Sequence, residues 1–324
     1  MGTGSFVFPD MQTLTEGIFA VFRASGHPDA RLSVLGRQSN IYTSTFPSEI
    51  VTCCLEDGRP LRLLCKHARG KDYSAYQHKY GPIYEAEVYR RVLQPLQASV
   101  PRSYGLYEEE TTGRIWLVLE YLEDCLRVVK APEPGAMRLA ARWIGQFHAA
   151  NAARLQREPL PFLNVYNAEY YIGWARRTAQ FAGNLHHDFP WLSPFCRRAE
   201  EILASLTALP LTVIHGEYYP ANILYREGTI YPVDWESAAL AVGEIDLASL
   251  AHGWSLQDIE EYSKAYQQAR WPAGTPPDFE RTFDITQLYW CLRWLGDRPE
   301  WTTHRNWQGQ FKRLLALGER LELI

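Results

Sequence analysis

What constrains this chain most is a polar cluster set between apolar β-formers: Val213-Ile-His215-Gly216-Glu217-Tyr-Tyr-Pro-Ala-Asn222-Ile-Leu, then Tyr231-Pro-Val-Asp234-Trp-Glu236 after a short hairpin. The apolar flanks predict strands, so Glu217 and Asn222 share one loop and Asp234 ends a strand. A carboxylate and an amide on one loop, with a second carboxylate at a strand end, form the minimum set for handling a metal-bound nucleotide. One carboxylate orients or deprotonates a nucleophile, while the amide and the other carboxylate hold the cation against phosphates. A fold that carries them must bring loop and strand end together.

The spacing fits H-R-D-x-x-x-x-N followed by the Asp of D-F-G, with Gly216 in place of Arg and Glu217 in place of Asp. With Gly at the second position the loop resembles the aminoglycoside phosphotransferase and choline kinase superfamily, small-molecule relatives of protein kinases with the signature H-G-D-x-x-x-x-N. Val233-Asp234-Trp235-Glu236 and Gly243-Glu-Ile-Asp246-Leu-Ala are similar to the family's segments just beyond that loop. The resemblance runs over roughly residues 30–295. It implies an α+β, two-lobed protein-kinase-like fold. Residues 1–120 would form an antiparallel β-sheet N-lobe with an N-terminal helix and one further helix, and residues 121–324 a mainly helical C-lobe. It also implies ATP and Mg2+ as cofactors and a small-molecule hydroxyl as acceptor.

Local patterning agrees with that division. Leu14, Ile18, Val21 and Phe22 recur at helical spacing over Met11 to Ala24. β-rich segments at 33–45, 49–55 and 61–66, with Asp57-Gly58 as a hairpin signal, predict an antiparallel meander. Tyr84 to Leu93 returns to helical period, and Arg114 to Glu120 is a strand. Lys130-Ala-Pro-Glu-Pro-Gly135 is the clearest linker. Helices are expected over 136–152, 167–183, 193–207, 246–270, 278–295 and 304–322.

Each site residue has an assigned role under the resemblance. Lys66, at the end of a strand, would reach the α and β phosphates, held by a helix glutamate; Glu85 shares a face with Val88, Tyr89 and Val92, so it is preferred to Glu87. Gly36 and Ser39, in Gly36-Arg-Gln-Ser-Asn40, would lie in a phosphate-covering turn between two strands. Glu120 and Leu122 would border the adenine hinge. Asn222 and Asp234 would bind Mg2+. Glu236 either serves a second metal or hydrogen-bonds the loop. His215 braces the loop, and Asp246 caps a helix starting at Leu247 and braces the catalytic segment.

Glu217 is the catalytic candidate and the departure from the family pattern. Its extra methylene carries the carboxylate ~1.5 Å further out, while free Glu and Asp differ by only about 0.4 pKa units. Transfer relies on positioning and electrostatics, so basicity alone does not disable it. The expected activity is movement of the γ-phosphoryl group of ATP to a hydroxyl of an amino sugar, an aminoglycoside-like compound or an amino alcohol. The alternative is a nucleotide-binding pseudokinase or regulatory module without turnover.

Composition narrows the remaining classes. A net charge of -4 over 324 residues and a pI near 6.2 leave no basic footprint for nucleic acid. No apolar run approaches the ~18 residues that suggest a membrane span, and Met1-Gly-Thr-Gly-Ser-Phe6 lacks secretory character, so a cytoplasmic location is expected. The six cysteines form no C-x-x-C and are expected to be reduced core thiols. His215-Gly-Glu217 has half of a zinc-deaminase signature, but its P-C-x-x-C half is missing. The 11 tryptophans and 19 tyrosines are expected to fill the core, with Tyr170, Tyr171, Trp174, Trp290 and Trp294 as candidates for the alternative, an aromatic wall against an acceptor. Asp258, Glu260, Glu261 and Asp284 are candidates for an acidic pocket.

Overall fold

A computed structural model describes residues 6–26, 32–41, 46–68, 79–133, 135–185, 187–299 and 309–324. In chain order the elements are α1 (Met11–Ala24), β1 (Leu32–Ser39), β2 (Ser48–Leu55), β3 (Pro60–His67), α2 (Gly81–Val88), β4 (Ser103–Glu108), β5 (Ile115–Glu120), β6 (Leu126–Arg127), α3 (Ala136–Leu155), α4 (Ala168–Phe181), α5 (Leu192–Ala204), β7 (Thr212–Ile214), β8 (Ile223–Arg226), β9 (Thr229–Pro232), β10 (Ala239–Ala241), α6 (Glu244–Ala251), α7 (Leu256–Arg270), α8 (Phe279–Asp297) and α9 (Gly309–Arg320). They fall into two compact units. The first runs to Cys125 and takes in Val233–Glu236; the second holds Leu126–Pro232 and Ser237–Ile324.

The first unit is an antiparallel sheet in the order β1-β2-β3-β5-β4 with α1 packed on one face. Asp10 caps α1 by accepting from the Thr13 amide at 2.8 Å. The apolar stripe of the helix, Leu14, Ile18, Val21 and Phe22, meets Val51, Cys53, Leu63, Cys65, Trp116 and Val118 in one core. Because strand side chains alternate, Lys66 projects to the face opposite Cys65. The sheet thus buries its thiols under α1 and turns its lysine toward α2. The edge strand β4 leaves little signal in the sequence: Pro101 stands just before it, Gly105 breaks its alternation, and its side chains are at most half-buried.

The second unit is built on helices. Two small antiparallel sheets, β10-β7 and β6-β8-β9, carry the polar loop and the hairpin after it. Leu288, Tyr289, Trp290, Cys291 and Leu292 of α8 are all buried, so this helix has no solvent-facing stripe along that stretch. The helix expected over 246–270 is instead two. Gly253, at φ +85°, turns the chain after α6, and the Ser255 hydroxyl starts α7 by accepting from the Asp258 amide at 3.2 Å. None of the helices in the described residues is long and apolar enough to cross a membrane. All six cysteines are free, with Cys53, Cys65, Cys196 and Cys291 buried; burial pushes the Cys53 and Cys196 thiols up to about 12.

Candidate active site

In the first unit, residues distant in sequence converge on one ammonium group. Lys66 Nζ donates to Glu85 Oε2 at 2.8 Å and to Asp234 Oδ1, and lies 2.7 Å from Glu236 Oε2. The other Glu236 oxygen accepts from Lys79 Nζ at 2.9 Å. Glu85 also accepts from the Trp235 amide at 3.1 Å, which ties α2 to the segment carrying Asp234. Glu87 is half-buried and pairs with Arg90.

Charge balance follows from burial. Desolvation works against the Lys66 ammonium, but Asp234, Glu236 and Glu85 outweigh it and hold its pKa well above the ordinary lysine value. Desolvation raises the Glu85 carboxyl to about 7, with Lys66 pulling the other way. Glu236 is raised by burial and by the Asp234 charge beside it. Asp234 is the least buried of the three and has φ +69°, a left-handed conformation that non-glycine residues rarely adopt.

The donor set suits a hard divalent cation. Glu85, Asp234 and Glu236 each offer an oxygen, and these atoms lie within 4.8 Å of one another. All three face Lys66, and Asp234, the least buried, is the one most accessible to an incoming cation; oxygen donors are what Mg2+ takes.

The second unit holds the polar loop. Asp246 accepts from the His215 amide at 2.6 Å and the Gly216 amide at 2.9 Å, and its carboxylate also meets His148 Nε2 at 3.1 Å. It is therefore not the cap of a helix starting at Leu247: α6 begins at Glu244, and the first-turn Asp246 satisfies loop amides instead. Burial lowers the His148 pKa, so its ring is a neutral partner in this brace. Gly216 has φ +81°, and a Cβ there would collide with the Ser237 carbonyl oxygen. Glycine stands after the histidine because backbone already fills the space a side chain needs.

Asn222 Nδ2 donates to the Glu217 carbonyl oxygen at 3.3 Å, which leaves its side-chain oxygen as the atom suited to a cation. The Glu217 carboxylate accepts from Arg293 Nη2 at 2.7 Å. Neither Arg293 nor Lys79 is among the residues that the sequence pattern points to. A lone arginine inside the apolar run of α8 is the available signal for the first; the second has none.

Several expectations are corrected. Gly36 and Ser39 lie within β1, paired with Thr52 and Glu49, because a bulge after Val34 lets the strand run on. Neither residue is in a turn, and of the segment joining β1 to β2, residues 42–45 lie outside the described residues. At the hinge position the Glu120 amide donates to the Arg102 carbonyl at 2.8 Å and the Tyr121 amide to the Arg62 carbonyl at 3.0 Å. Those amides are taken by the sheet, whereas the buried Leu122 amide has no hydrogen-bond partner among the described residues. Tyr170, Tyr171, Trp174 and Trp290 are core residues; Trp294 stacks on His252. Glu260 pairs with Lys264, Glu261 with Arg138 and Asp284 with Arg320, while Asp258 accepts from the Ser255 hydroxyl. These carboxylates answer their own neighbours.

The profile of the APH phosphotransferase enzyme family matches residues 56–282. Comparison with curated proteins finds no match. Among solved structures, choline kinase from Cryptosporidium parvum Iowa II is similar at 15% identity, covering 95% of this chain and 96% of that one, with a TM-score of 0.61. A spectinomycin phosphotransferase in complex with ADP and spectinomycin is similar at 10% identity, covering 95% and 98%, with a TM-score of 0.59. An amicoumacin kinase in complex with AMP-PNP and Ca2+ is similar at 13% identity, covering 97% and 93%, with a TM-score of 0.59. At these identities the likeness shows the fold, an antiparallel-sheet N-terminal part and a helical C-terminal part of the kinase-like kind.

Proposed function

The chain belongs to the phosphotransferase enzyme family and is a small-molecule kinase, and from that premise we propose that it moves the γ-phosphoryl group of ATP, taken as its Mg2+ complex, to a small-molecule hydroxyl. The observation that carries this reading is the convergence of Lys66, Glu85 and Asp234 on one another from separate parts of the sequence. Lys66 binds the α and β phosphates, and Glu85 holds the ammonium in place. Asp234 and Asn222 supply oxygens to the cation. When bound, the cation neutralises charge on the phosphate oxygens as the leaving group departs.

Glu217 orients the acceptor hydroxyl and takes its proton late, when the transition state is already loose and little basicity is required. Glu236 is occupied by Lys66 and Lys79, which favours a structural role in the hydrogen-bonded segment over service to a second metal. Leu122 offers the hinge its backbone groups.

Amino sugars, aminoglycoside-like compounds and amino alcohols are the acceptor classes to try first. The test is a nucleotide-consumption screen across them with Mg2+ present, alongside thermal-shift titration of ATP. Consumption that requires one acceptor, with the phosphate recovered on its hydroxyl, is the expected result. Stabilisation by ATP with no transfer to any acceptor would replace this reading by a nucleotide-binding module without turnover.

A further inference from the structure

The carboxylate of Glu217 is held by a cation that the family signature does not contain. Arg293 Nη2 reaches Glu217 Oε1 at 2.7 Å, and the two side chains are only 6% and 7% exposed. The guanidinium lies over the Trp290 ring at 4.7 Å and faces the Trp174 ring at 5.9 Å. Its Nε is buried and has no hydrogen-bond partner among the described residues. An arginine fixed between two indoles and bonded to one carboxylate is set up to fix that carboxylate.

Stability is a weak reason to keep such a pair. Desolvating two charges costs several kcal/mol, and apolar residues of similar size often serve a core equally well. Orientation is a stronger one, because a glutamate has one more rotatable bond than an aspartate and an unanchored carboxylate would sample several rotamers. Side-chain length points the same way. An aspartate at 217 would end ~1.5 Å short, leaving its oxygen roughly 4 Å from Nη2, too far for a hydrogen bond.

We propose that Arg293 is the positioning residue for Glu217, and that glutamate stands at 217 because its length matches the reach of this arginine. This rests on the proposed role of Glu217 in orienting the acceptor hydroxyl. Arg293 acts by confining the Glu217 carboxylate to one place, and misplacement of a reacting group by about 1 Å can cost about 100-fold in rate.

The experiment compares wild type with Arg293→Met, Arg293→Lys, Glu217→Asp and Glu217→Asp/Arg293→Met, using the acceptor the screen yields or, failing one, water as acceptor in Mg2+-dependent ATP hydrolysis. Arg293→Met should lower kcat about 100-fold while leaving KM for ATP within about twofold, since ground-state nucleotide binding is untouched. Arg293→Lys should recover part of the loss. Glu217→Asp, although it restores the family residue, should lower kcat in the wild-type background and cost nothing further beside Arg293→Met. Wild-type kcat in Arg293→Met, or an equal loss from Glu217→Asp in both backgrounds, would overturn the inference.

Thermal unfolding of Glu217→Gln, Arg293→Met and their double variant gives a readout independent of turnover. A double variant less destabilised than the sum of the singles supports the pair, and strict additivity overturns it. A wild-type protein that neither transfers nor hydrolyses would defeat the phosphotransfer reading, and the unfolding cycle would still decide the pair.

Discussion

Single side chains explain why the polar loop has the composition it does. Gly216 is required twice, by its left-handed φ of +81° and by the Ser237 carbonyl oxygen that occupies the place where a Cβ would stand. Gly216→Ala should therefore cost about 1–2 kcal/mol from the backbone conformation alone, with the clash added, and differential scanning calorimetry should show Tm falling by at least about 2–4 °C. An unchanged Tm would mean that the loop does not hold this conformation. Glu85 and Glu87 make a sharper comparison, since they share a helix and differ in what they meet. Glu85→Gln removes a partner of a buried ammonium and should lower ATP affinity about tenfold, as loss of about 1.4 kcal/mol of positioning would, whereas Glu87→Gln, at a residue that pairs with Arg90 and not with Lys66, should leave it unchanged by calorimetric titration. The meeting of Lys66, Glu85 and Asp234 was legible because each sits at an identifiable place in a pattern. Arg293 and Lys79 were not, because what makes them notable is a partner far away in the chain.

Secondary-structure elements were legible where one period ran uninterrupted. The stripe of α1 and the Asp57-Gly58 hairpin between β2 and β3 both follow from local pattern. The failures have local causes too. The apolar period of 246–270 runs across the turn at Gly253, so two helices read as one, and β4 hides behind Pro101 and Gly105. The bulge after Val34 carries β1 past the glycine expected to end it. His252 sits in the connection between α6 and α7, stacked on Trp294 and bonded to Gln310 at 3.0 Å. Burial, helped by Arg313, lowers its pKa from 6.5 to about 3. The folded protein therefore refuses a proton that the unfolded chain accepts. The contribution is intact above pH 6.5 and is lost as pH falls through the window from about 6.5 to about 3. Thermal melts across that window should show a shallower acid decline for His252→Gln than for wild type; identical slopes would contradict the assignment.

At the scale of the whole molecule, each compact unit carries its own share of the chemistry. The first brings Lys66, Glu85, Asp234 and Glu236 together, and the second holds Glu217, Asn222 and the Asp246 brace. A strand-rich first part and a helix-rich second part were legible, but the return of Val233–Glu236 to the first unit was not, since no local pattern records which unit a short segment packs with. Everything proposed for catalysis requires Asp234 to serve a divalent cation that a nucleotide brings with it. The most direct measurement is the thermal shift produced by ATP with and without Mg2+, in wild type and in Asp234→Asn. Ligand at about 100 times its Kd stabilises by about 2.7 kcal/mol, so wild-type Tm should rise with ATP and rise further when Mg2+ is added. Asp234→Asn should lose the Mg2+-dependent part. An equal Mg2+-dependent rise in both proteins would contradict that role for Asp234.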